Sequence, residues 1–368
     1  MPWRYRLMAA GGLLGSLLLA ASAVCLTSGC STLGYYAQAA NGHLALLQSA
    51  RPVAEWTADA ATPEPLRQRL QLSQRMRDFA SAELKLPDND SYRRYGDLNR
   101  SAAVWNVVAA PELGLALKTW CFPVLGCVGY RGYYTRAPAD ALAGDLRTQG
   151  LETMVYGVPA YSTLGWSNWV GGDPLLNTFI NGAEIDLARL IFHELSHQVA
   201  YAADDTTFNE SFATAVERIG GRLWLQRHGT AESRAQAELA DQRRQDFRDF
   251  TLRWRGTLLA LYQGNETDAS KRERKAALMA QMRTEYQALK AERWGGFAGY
   301  DGWFERANNA SFAVLAAYNE LVPQFEALFE RSGRDFPRFY AEVQRLAALP
   351  KAERRAALAS SNTSTARN

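Results

Sequence analysis

Two of the four histidines in this 368-residue chain, His193 and His197, lie four residues apart. The surrounding segment, LARLIFHELSHQVAYA, has apolar residues at helical spacing, so both imidazoles are expected on one face of a helix, one turn apart. At that spacing they can bind the same tetrahedral metal ion. Glu194 is rotated by about 100° around the helix axis from His193. It can therefore act on a water molecule at the metal without being a ligand, and the pattern predicts a metal site with a base beside it.

A zinc site of this open kind needs a third protein ligand. Residues 209–217, NESFATAVE, are apolar at helical spacing and follow an Asp-Asp-Thr-Thr turn, which predicts a second helix beginning near Thr207. If this helix returns over the first, it brings Glu210 to the histidines as an oxygen ligand. Glu217 lies two turns further along the same face, and we expect it to hydrogen-bond a ligand histidine and orient it.

Asp204 and Asp205 are competing candidates for the third ligand, since they lie closer in sequence to His197. The turn that contains them follows the first helix too soon for the chain to fold back over the metal. We expect these two residues to end the helix and form the loop that reverses the chain.

Composition excludes several other classes of protein. With 47% hydrophobic and 21% charged residues the chain is typical of globular proteins. Its formal net charge of +3 falls to +1 if Arg4 and Arg6 are removed with a leader peptide. This balance does not favour nucleic acid as a partner. The sequence has no G-x-S-x-G elbow, phosphate-binding loop or dinucleotide fingerprint, which argues against serine hydrolases and nucleotide enzymes.

The first 29 residues have the features of an export signal. A basic start at Arg4 and Arg6 precedes the apolar, small-residue run from Leu7 to Val24. The alternative is an uncleaved transmembrane anchor, because the apolar run is nearly long enough to span a bilayer. Both interpretations place the rest of the chain outside the cytoplasm.

The residues that follow this run resemble the lipobox of bacterial lipoproteins. In LTSGC, residues 26–30, Thr27 stands where the pattern usually has Leu. The resemblance implies cleavage before Cys30 and attachment of lipid to its sulfur. Ser31 replaces the Asp that retains lipoproteins at the inner membrane, so we expect an anchor on the periplasmic side of the outer membrane.

The cysteine count agrees with an exported protein. Cys25 would leave with the signal and Cys30 would carry lipid, so that Cys121 and Cys127 remain as a pair. The five residues between them do not match a zinc knuckle, and no histidine lies nearby. A short disulfide loop is therefore predicted.

Periodicity predicts an α+β fold that is predominantly helical. Pro63 to Leu84 has the stripe of an amphipathic packing helix, and short β-rich runs separated by Gly, Pro and Asn fill about Tyr92 to Gly172. One helix, Pro138 to Gly150, interrupts them. After Asp186 the pattern is helical to about Leu349. We expect a small antiparallel or mixed sheet followed by a helical bundle of the zincin type.

The predicted organisation has four parts. The signal covers 1–29, an N-terminal helix and small β-rich subdomain cover 30–180, the helical subdomain covers 181–360, and 361–368 form a disordered tail. The charge-rich run from Ala231 to Arg255 is expected to be a solvated helix face.

Two motifs resemble those of a known enzyme group. HELSH and NESFA look like the motifs of gluzincin peptidases, although the spacing between them is shorter here than is usual in that group. The combination also resembles a bacterial lipoprotein family whose members are described as zinc aminopeptidases. That resemblance extends over nearly the whole mature chain and includes AYSTLGW at 160–166, DPLL at 173–176, NNA at 308–310 and YNELVP at 318–323.

The resemblance implies Zn²⁺ as cofactor, a peptide as substrate, and Glu194 as the base that activates water and returns the proton to the leaving amine. Gluzincins often use a later aromatic residue to stabilise the oxyanion, for which Tyr318 is the first candidate and Tyr300 the second. Glu152 and Asp173 are candidates to bind a substrate ammonium group.

Alternatives remain at this point. Substrate backbone is expected to lie along an edge strand formed by Val155 to Tyr161, or this segment is an ordinary buried strand. The protein is an aminopeptidase, a zinc endopeptidase, or a non-catalytic envelope scaffold with a vestigial metal site. The sequence does not predict the oligomeric state.

Overall fold

The computed structural model describes residues 30–122, 126–160, 171–203 and 205–360, without the side chains of 30–33, 126, 316–319 and 360. The chain divides into two compact units, 1–48 and 49–368. In the first, the described part is helix α1, Cys30–Ser49, which runs one residue beyond the boundary. The signal at 1–29 and the tail at 361–368 lie outside the described residues and stay predictions. In the part of the chain described, no helix is long and apolar enough to cross a membrane.

The second unit is α+β and predominantly helical, which confirms the predicted fold class. Its described strands are short: β1 Ala50–Pro52, β2 Arg94–Gly96, β3 Val104–Pro111, β4 Trp120–Phe122, β5 Gly126–Val128, β6 Arg131–Tyr133, β7 Leu151–Val158 and β8 Leu175–Leu176. Its described helices are α2 Val53–Ala58, α3 Glu64–Ala82, α4 Arg136–Thr148, α5 Glu184–Ser196, α6 Thr206–His228, α7 Ala231–Gln263, α8 Asp268–Glu292, α9 Asp301–Arg306, α10 Asn309–Asn319, α11 Val322–Arg331, α12 Phe336–Ala347 and α13 Lys351–Ser360.

The strands form three small sheets within the described residues. One has the order β1-β2-β8, with β1 antiparallel and β8 parallel to β2, and the second has the antiparallel order β6-β3-β7. The third is the β4-β5 hairpin, in which Cys121 lies opposite Cys127 and forms a disulfide with it.

The β6-β3-β7 sheet is packed between two helices. Strand β3 is almost wholly buried and contacts α4 and α10. Successive side chains of a strand point to opposite faces, and Val108 and Ala110 pack in one cluster with Ala310 and Ala313 of α10. This packing fixes the sheet against the helical part of the same unit, which contains the predicted metal ligands.

Two glycines in α6 lie against α5 with no space for a larger side chain. A Cβ atom at Gly220 would lie 2.6 Å from Leu84 Cδ1 and 2.9 Å from a ring carbon of Phe192, and one at Gly221 would lie 2.9 Å from Arg189 Nε. Larger residues there would force the helices apart. The two glycines therefore allow α6 to approach the helix that carries HELSH.

Candidate metal centre

His193 and His197 lie at the C-terminal end of α5. The helix ends at Ser196, and His197 follows it as the C-terminal cap in a helical conformation. The helical run through this point keeps the two imidazoles neighbours, with ring centroids 5.0 Å apart. Ser196 Oγ also donates a 2.6 Å hydrogen bond to the His193 carbonyl, which satisfies one acceptor of the last helical turn.

Glu210, in the second turn of α6, reaches both histidines. Its Oε2 lies 3.3 Å from His193 Nε2 and 3.8 Å from His197 Nε2. The side-chain amide of Asn209 holds the connecting loop in place: it accepts a 2.7 Å hydrogen bond from the Ala202 N–H and donates a 2.9 Å bond to the Ala202 carbonyl. The Asn of the NESFA motif therefore closes the short loop, and the Glu that follows it points to the histidines.

These three side chains fit a tetrahedral zinc ion. One ligand atom from each of His193, His197 and Glu210 lies within 4.8 Å of the others. Zinc–ligand bonds of about 2.0–2.1 Å in a tetrahedron place ligand atoms about 3.3–3.4 Å apart. The separations of 3.3 and 3.8 Å from Glu210 Oε2 to the two imidazoles are close to that value. A divalent cation would need only small side-chain movements to be held.

Glu217 orients the first histidine. His193 Nδ1 donates a 2.8 Å hydrogen bond to Glu217 Oε2, which directs Nε2 of the same ring toward Glu210. A ligand histidine whose other nitrogen donates to a carboxylate is a common arrangement in zinc sites. The structure thus places Glu217 where the helical repeat predicts it.

The ionisable groups of this cluster shift one another. Burial lowers the pKa of His193, but hydrogen bonds with Glu210 and Glu217 outweigh it and hold the pKa well above its usual value. Burial acts to raise the pKa of Glu210. The nearby His197 and the hydrogen bond from His193 lower it by more, so that the pKa lies below its usual value. Burial also lowers the pKa of His197 to about 4, so this imidazole stays neutral with a lone pair available for a metal.

Glu194 is not part of the ligand set, but it lies in the same buried region. Burial raises its pKa to about 8, with His193 opposing the shift and the carboxylates of Glu210, Asp173 and Glu217 adding to it. Several carboxyl groups that repel one another around two imidazoles favour a bound cation. A carboxyl group whose pKa lies near neutrality is also suited to take up and release a proton.

Asp205, one of the two competing aspartates, does not join this cluster. Asp205 caps α6 by accepting a 3.2 Å hydrogen bond from the Phe208 N–H, and it forms ion pairs with Arg354 at 2.9 Å and Arg355 at 2.6 Å. Asp204 lies outside the described residues. Asp205 therefore lies in the loop that reverses the chain, as the sequence predicts, and the structure shows in addition that it is the N-cap of α6.

The other predicted residues lie in different settings. The Tyr318 side chain is outside the described residues. Tyr300 stacks on Phe247, with ring centroids 4.3 Å apart, in an aromatic cluster. Glu152 pairs with Lys275 and accepts a 2.7 Å hydrogen bond from the Asn309 N–H, so it holds β7 to α8 and α10. Asp173 is buried and close enough to Glu194 to raise its pKa.

Tyr130, between β5 and β6, is a residue that the sequence did not indicate. Burial raises its pKa well above the usual value, and the charges of Glu210 and Glu194 raise it further, together with Tyr201 and Tyr156. Its phenol therefore lies near both carboxylates of the centre. It belongs to the run VGYRGYYT, whose composition predicts only strands, and no spacing rule connects that run to HELSH.

Strand β7 contains most of the segment predicted to bind substrate backbone. It pairs with β3 and with no other described strand, and Tyr161 of that segment lies outside the described residues. Two cavities adjoin the centre. One cavity of about 260 Å³ is lined by His193, Glu194 and Glu217, and another of about 980 Å³ shares His193 and Glu217 with it. The centre is therefore accessible to a ligand larger than water.

Comparison with known proteins places the chain in one family. A family model described as "Putative aminopeptidase" matches residues 34–358. No curated protein and no solved structure matches the chain. Because the match covers most of the sequence, the chain belongs to this aminopeptidase family, and the membership supports peptidase activity.

Proposed function

We propose that the protein is a zinc-dependent aminopeptidase, anchored by lipid on Cys30 to the periplasmic side of the bacterial outer membrane. The observation that carries the enzymatic part is the convergence of His193, His197 and Glu210, with Glu194 beside them, in a member of an aminopeptidase family. The envelope part rests on the apolar leader and on the lipobox-like residues before Cys30.

His193, His197 and Glu210 would hold the ion, and Glu217 keeps the first imidazole in the orientation and tautomer that binding needs. When bound there, zinc would polarise the scissile carbonyl and lower the pKa of water. The side chain of Glu194 accepts the proton of the attacking water and then donates it to the leaving amine nitrogen. Burial raises the pKa of Glu194 above that of an ordinary carboxyl group, which makes it a stronger base for the proton of water.

Two further roles are assigned to residues near the centre. The developing oxyanion needs a hydrogen-bond donor, and the phenol of Tyr130 is near Glu210 and Glu194; Tyr318 remains the candidate from the sequence. A free substrate ammonium group needs an acidic partner. Asp173 is the candidate we retain for this role, because it is buried and close enough to Glu194 to raise the pKa of Glu194. Glu152 contacts Lys275 and the Asn309 N–H, away from the candidate ligands.

The free edge of β7 fits an extended peptide backbone. Its outer N–H and C=O groups have no partner strand among the described residues, so a substrate segment could add to the sheet there. Such an addition would suit an endopeptidase as well as an aminopeptidase. The position of the cut therefore has to be measured.

The test combines metal analysis with peptide cleavage. Purified protein is assayed for zinc and incubated with one peptide, either with a free amino terminus or acetylated there, and the products are read by mass spectrometry. Stoichiometric zinc, loss of the first residue from the free peptide only, and loss of activity on chelation are expected. Internal cleavage of both peptides would instead indicate an endopeptidase, and metal-independent cleavage or none at all would contradict the proposal.

Paired ligand variants check the assignment of Glu210. The Glu210→Ala variant should lose most of its zinc, since Glu210 Oε2 lies near both imidazoles. Asp204→Ala should retain it, because the sequence predicts that Asp204 only forms the turn between the two helices. The reverse result would overturn the ligand set. For the envelope part, Cys30→Ala should abolish incorporation of labelled fatty acid and release the protein from the membrane fraction.

A further inference from the structure

The larger cavity beside the metal centre has an unusual lining. It measures about 980 Å³ and lies between α5, α6, α7 and α10, with His193 and Glu217 in its wall. A volume of this size is in the upper range for sites that enclose a small ligand. Since His193 is one of the candidate metal ligands, a molecule in this cavity would contact a side chain of the proposed metal centre.

Positive charge exceeds negative charge in this lining. Six arginines and four carboxylate residues contribute to it, namely Arg189, Arg218, Arg222, Arg244, Arg248 and Arg255 with Glu217, Glu238, Asp241 and Glu326. Glu217 is bound to His193, and Asp241 is bound by both Arg189 and Arg244. The carboxylates therefore do not neutralise the whole set, and the cavity attracts anions.

Of the arginines in this lining, Arg248 and Arg255 form no ion pair with a carboxylate of the described residues. They lie two turns apart on α7 and so share a face. Arg248 donates a 2.5 Å hydrogen bond to the neutral amide oxygen of Gln245, and Arg255 has a buried Nε with no hydrogen-bond partner among the described residues. Burial, followed by the charge of Arg218, lowers the pKa of Arg248 to about 10. Both arginines are only partly exposed, so an anion that pairs with their guanidinium groups in the cavity is stabilised there.

We propose that Arg248 and Arg255 form a subsite that binds a carboxylate of the peptide substrate. The inference rests on the proposed function, because a cavity shared with His193 makes the ligand part of a substrate of the metal centre. A guanidinium group matches a carboxylate with two parallel hydrogen bonds. The carboxylate is either the C-terminus of a short peptide or an acidic side chain, and the two sources are distinguished by experiment.

The experiment measures binding without turnover. The zinc-loaded Glu194→Gln variant is titrated calorimetrically with four peptides: Ala-Leu-Ala as free acid and as amide, and Ala-Leu-Glu-Ala and Ala-Leu-Gln-Ala, both as amides. The matching carboxylate should strengthen binding by about tenfold or more, as is typical of hydrogen bonds to charged groups. A preference for the free acid identifies the C-terminus, and a preference for Glu over Gln identifies the side chain.

Two added variants assign the preference to the arginines. Arg248→Gln with Arg255→Gln should abolish it, and Arg255→Gln alone should reduce it. Arg253→Gln is the matched control, because Arg253 lies on the same helix but pairs with Glu285 on the exposed side. Equal zinc content and circular dichroism show that each variant is folded. No preference in either pair of peptides, or a preference that persists in the double variant, would overturn the subsite.

The outcome separates the subsite from the proposed function. If the wild-type enzyme hydrolyses all four peptides at equal rates, and the arginine variants do so too, the peptidase function is supported and the subsite is contradicted. If the wild type hydrolyses none of the peptides, but the Glu194→Gln variant binds the matching carboxylate more tightly in an arginine-dependent way, the carboxylate subsite is supported and the peptidase function is contradicted.

Discussion

Two carboxylates at the start of α6, five residues apart, have opposite surroundings. Asp205 is buried with a side chain of 0% exposure and is neutralised by Arg354, Arg355 and the Phe208 N–H. Glu210 lies instead among two imidazoles and the carboxyl groups of Glu194 and Glu217. The charge of Asp205 is balanced by side chains of the same protein. The site of Glu210 instead gathers carboxylate charges and imidazole lone pairs, which a bound cation would stabilise.

The comparison separates a structural charge from a functional one. Both carboxylates have a pKa below the usual value, although burial acts to raise it in each case. The opposing groups differ: fixed guanidiniums act on Asp205, and titratable imidazoles act on Glu210. A low pKa alone therefore does not mark a metal ligand. The partners of a carboxylate, whether arginines or imidazoles, indicate whether it stabilises the fold or is a candidate metal ligand. The predictions below test that distinction.

The largest effect is expected at Glu194. Glu194→Gln should reduce kcat for peptide cleavage by about 10²–10⁴-fold, the usual contribution of a general base. Zinc content should be unchanged, because this residue is not among the ligands. Steady-state kinetics and metal analysis of the same preparation check both points. Retained turnover would show that Glu194 is not the base.

Asp205→Ala should affect stability instead. Removing one partner of a buried ion pair typically costs about 3–5 kcal/mol, since the remaining charge is left buried, and Arg354 is itself buried. Chemical denaturation measures the free energy of unfolding. Folded Asp205→Ala should bind zinc as the wild type does, so that a chelator lowers Tm in the wild type and in Asp205→Ala. In Glu210→Ala the chelator should leave Tm unchanged. Loss of zinc from folded Asp205→Ala would erase the distinction.

The stability that Asp205 contributes should depend on pH. The pKa of Asp205 is lower in the folded state than in the unfolded state, where it is about 3.9. The stability that Asp205 contributes is therefore fully present above the unfolded pKa and is lost as pH falls through the folded pKa. The difference in unfolding free energy between wild type and Asp205→Asn should therefore be constant near neutrality and shrink below about pH 4. A constant difference down to pH 2 would show that the ion pairs are not its source.

The smallest effect is expected at Glu217. Glu217→Gln keeps the size of the side chain but weakens the hydrogen bond from His193 Nδ1. Loss of such a partner typically reduces metal affinity or activity by about 10–100-fold. Competition with a chelator of known affinity measures the zinc dissociation constant. Glu326→Gln, another carboxylate of the same cavity, is the control and should bind zinc normally.

Local periodicity predicted which residues share a helix face in the candidate site. His193 and His197 do so because they are four residues apart, and Glu210 and Glu217 do so because they are two turns apart on α6. That α6 brings Glu210 to the histidines was expected also from the resemblance of the two motifs to those of gluzincins. The predominantly helical α+β fold is predicted for the same reason, since apolar spacing is a property of neighbouring residues.

Other parts of the site depend on residues that are distant in sequence. Tyr130 reaches the centre from a loop between two strands, and the β-rich composition of its segment says nothing about which helix the sheet will contact. The charge-rich run from Ala231 to Arg255 is typical of a solvated face. In the structure, however, Asp241, Arg244 and Arg248 line the cavity beside His193.

The sequence by itself determined the residue types of the candidate site, the spacing of its two histidines and the position of Glu194 beside them, because helical geometry is set by hydrogen bonds between residues four apart. Only the tertiary structure decided which tyrosine and which arginines adjoin the metal centre. Those positions follow from the packing of β3 against α10 and from the close approach of α5 to α6 at Gly220 and Gly221. Such contacts depend on complementary shapes across the whole unit, and no local pattern encodes them.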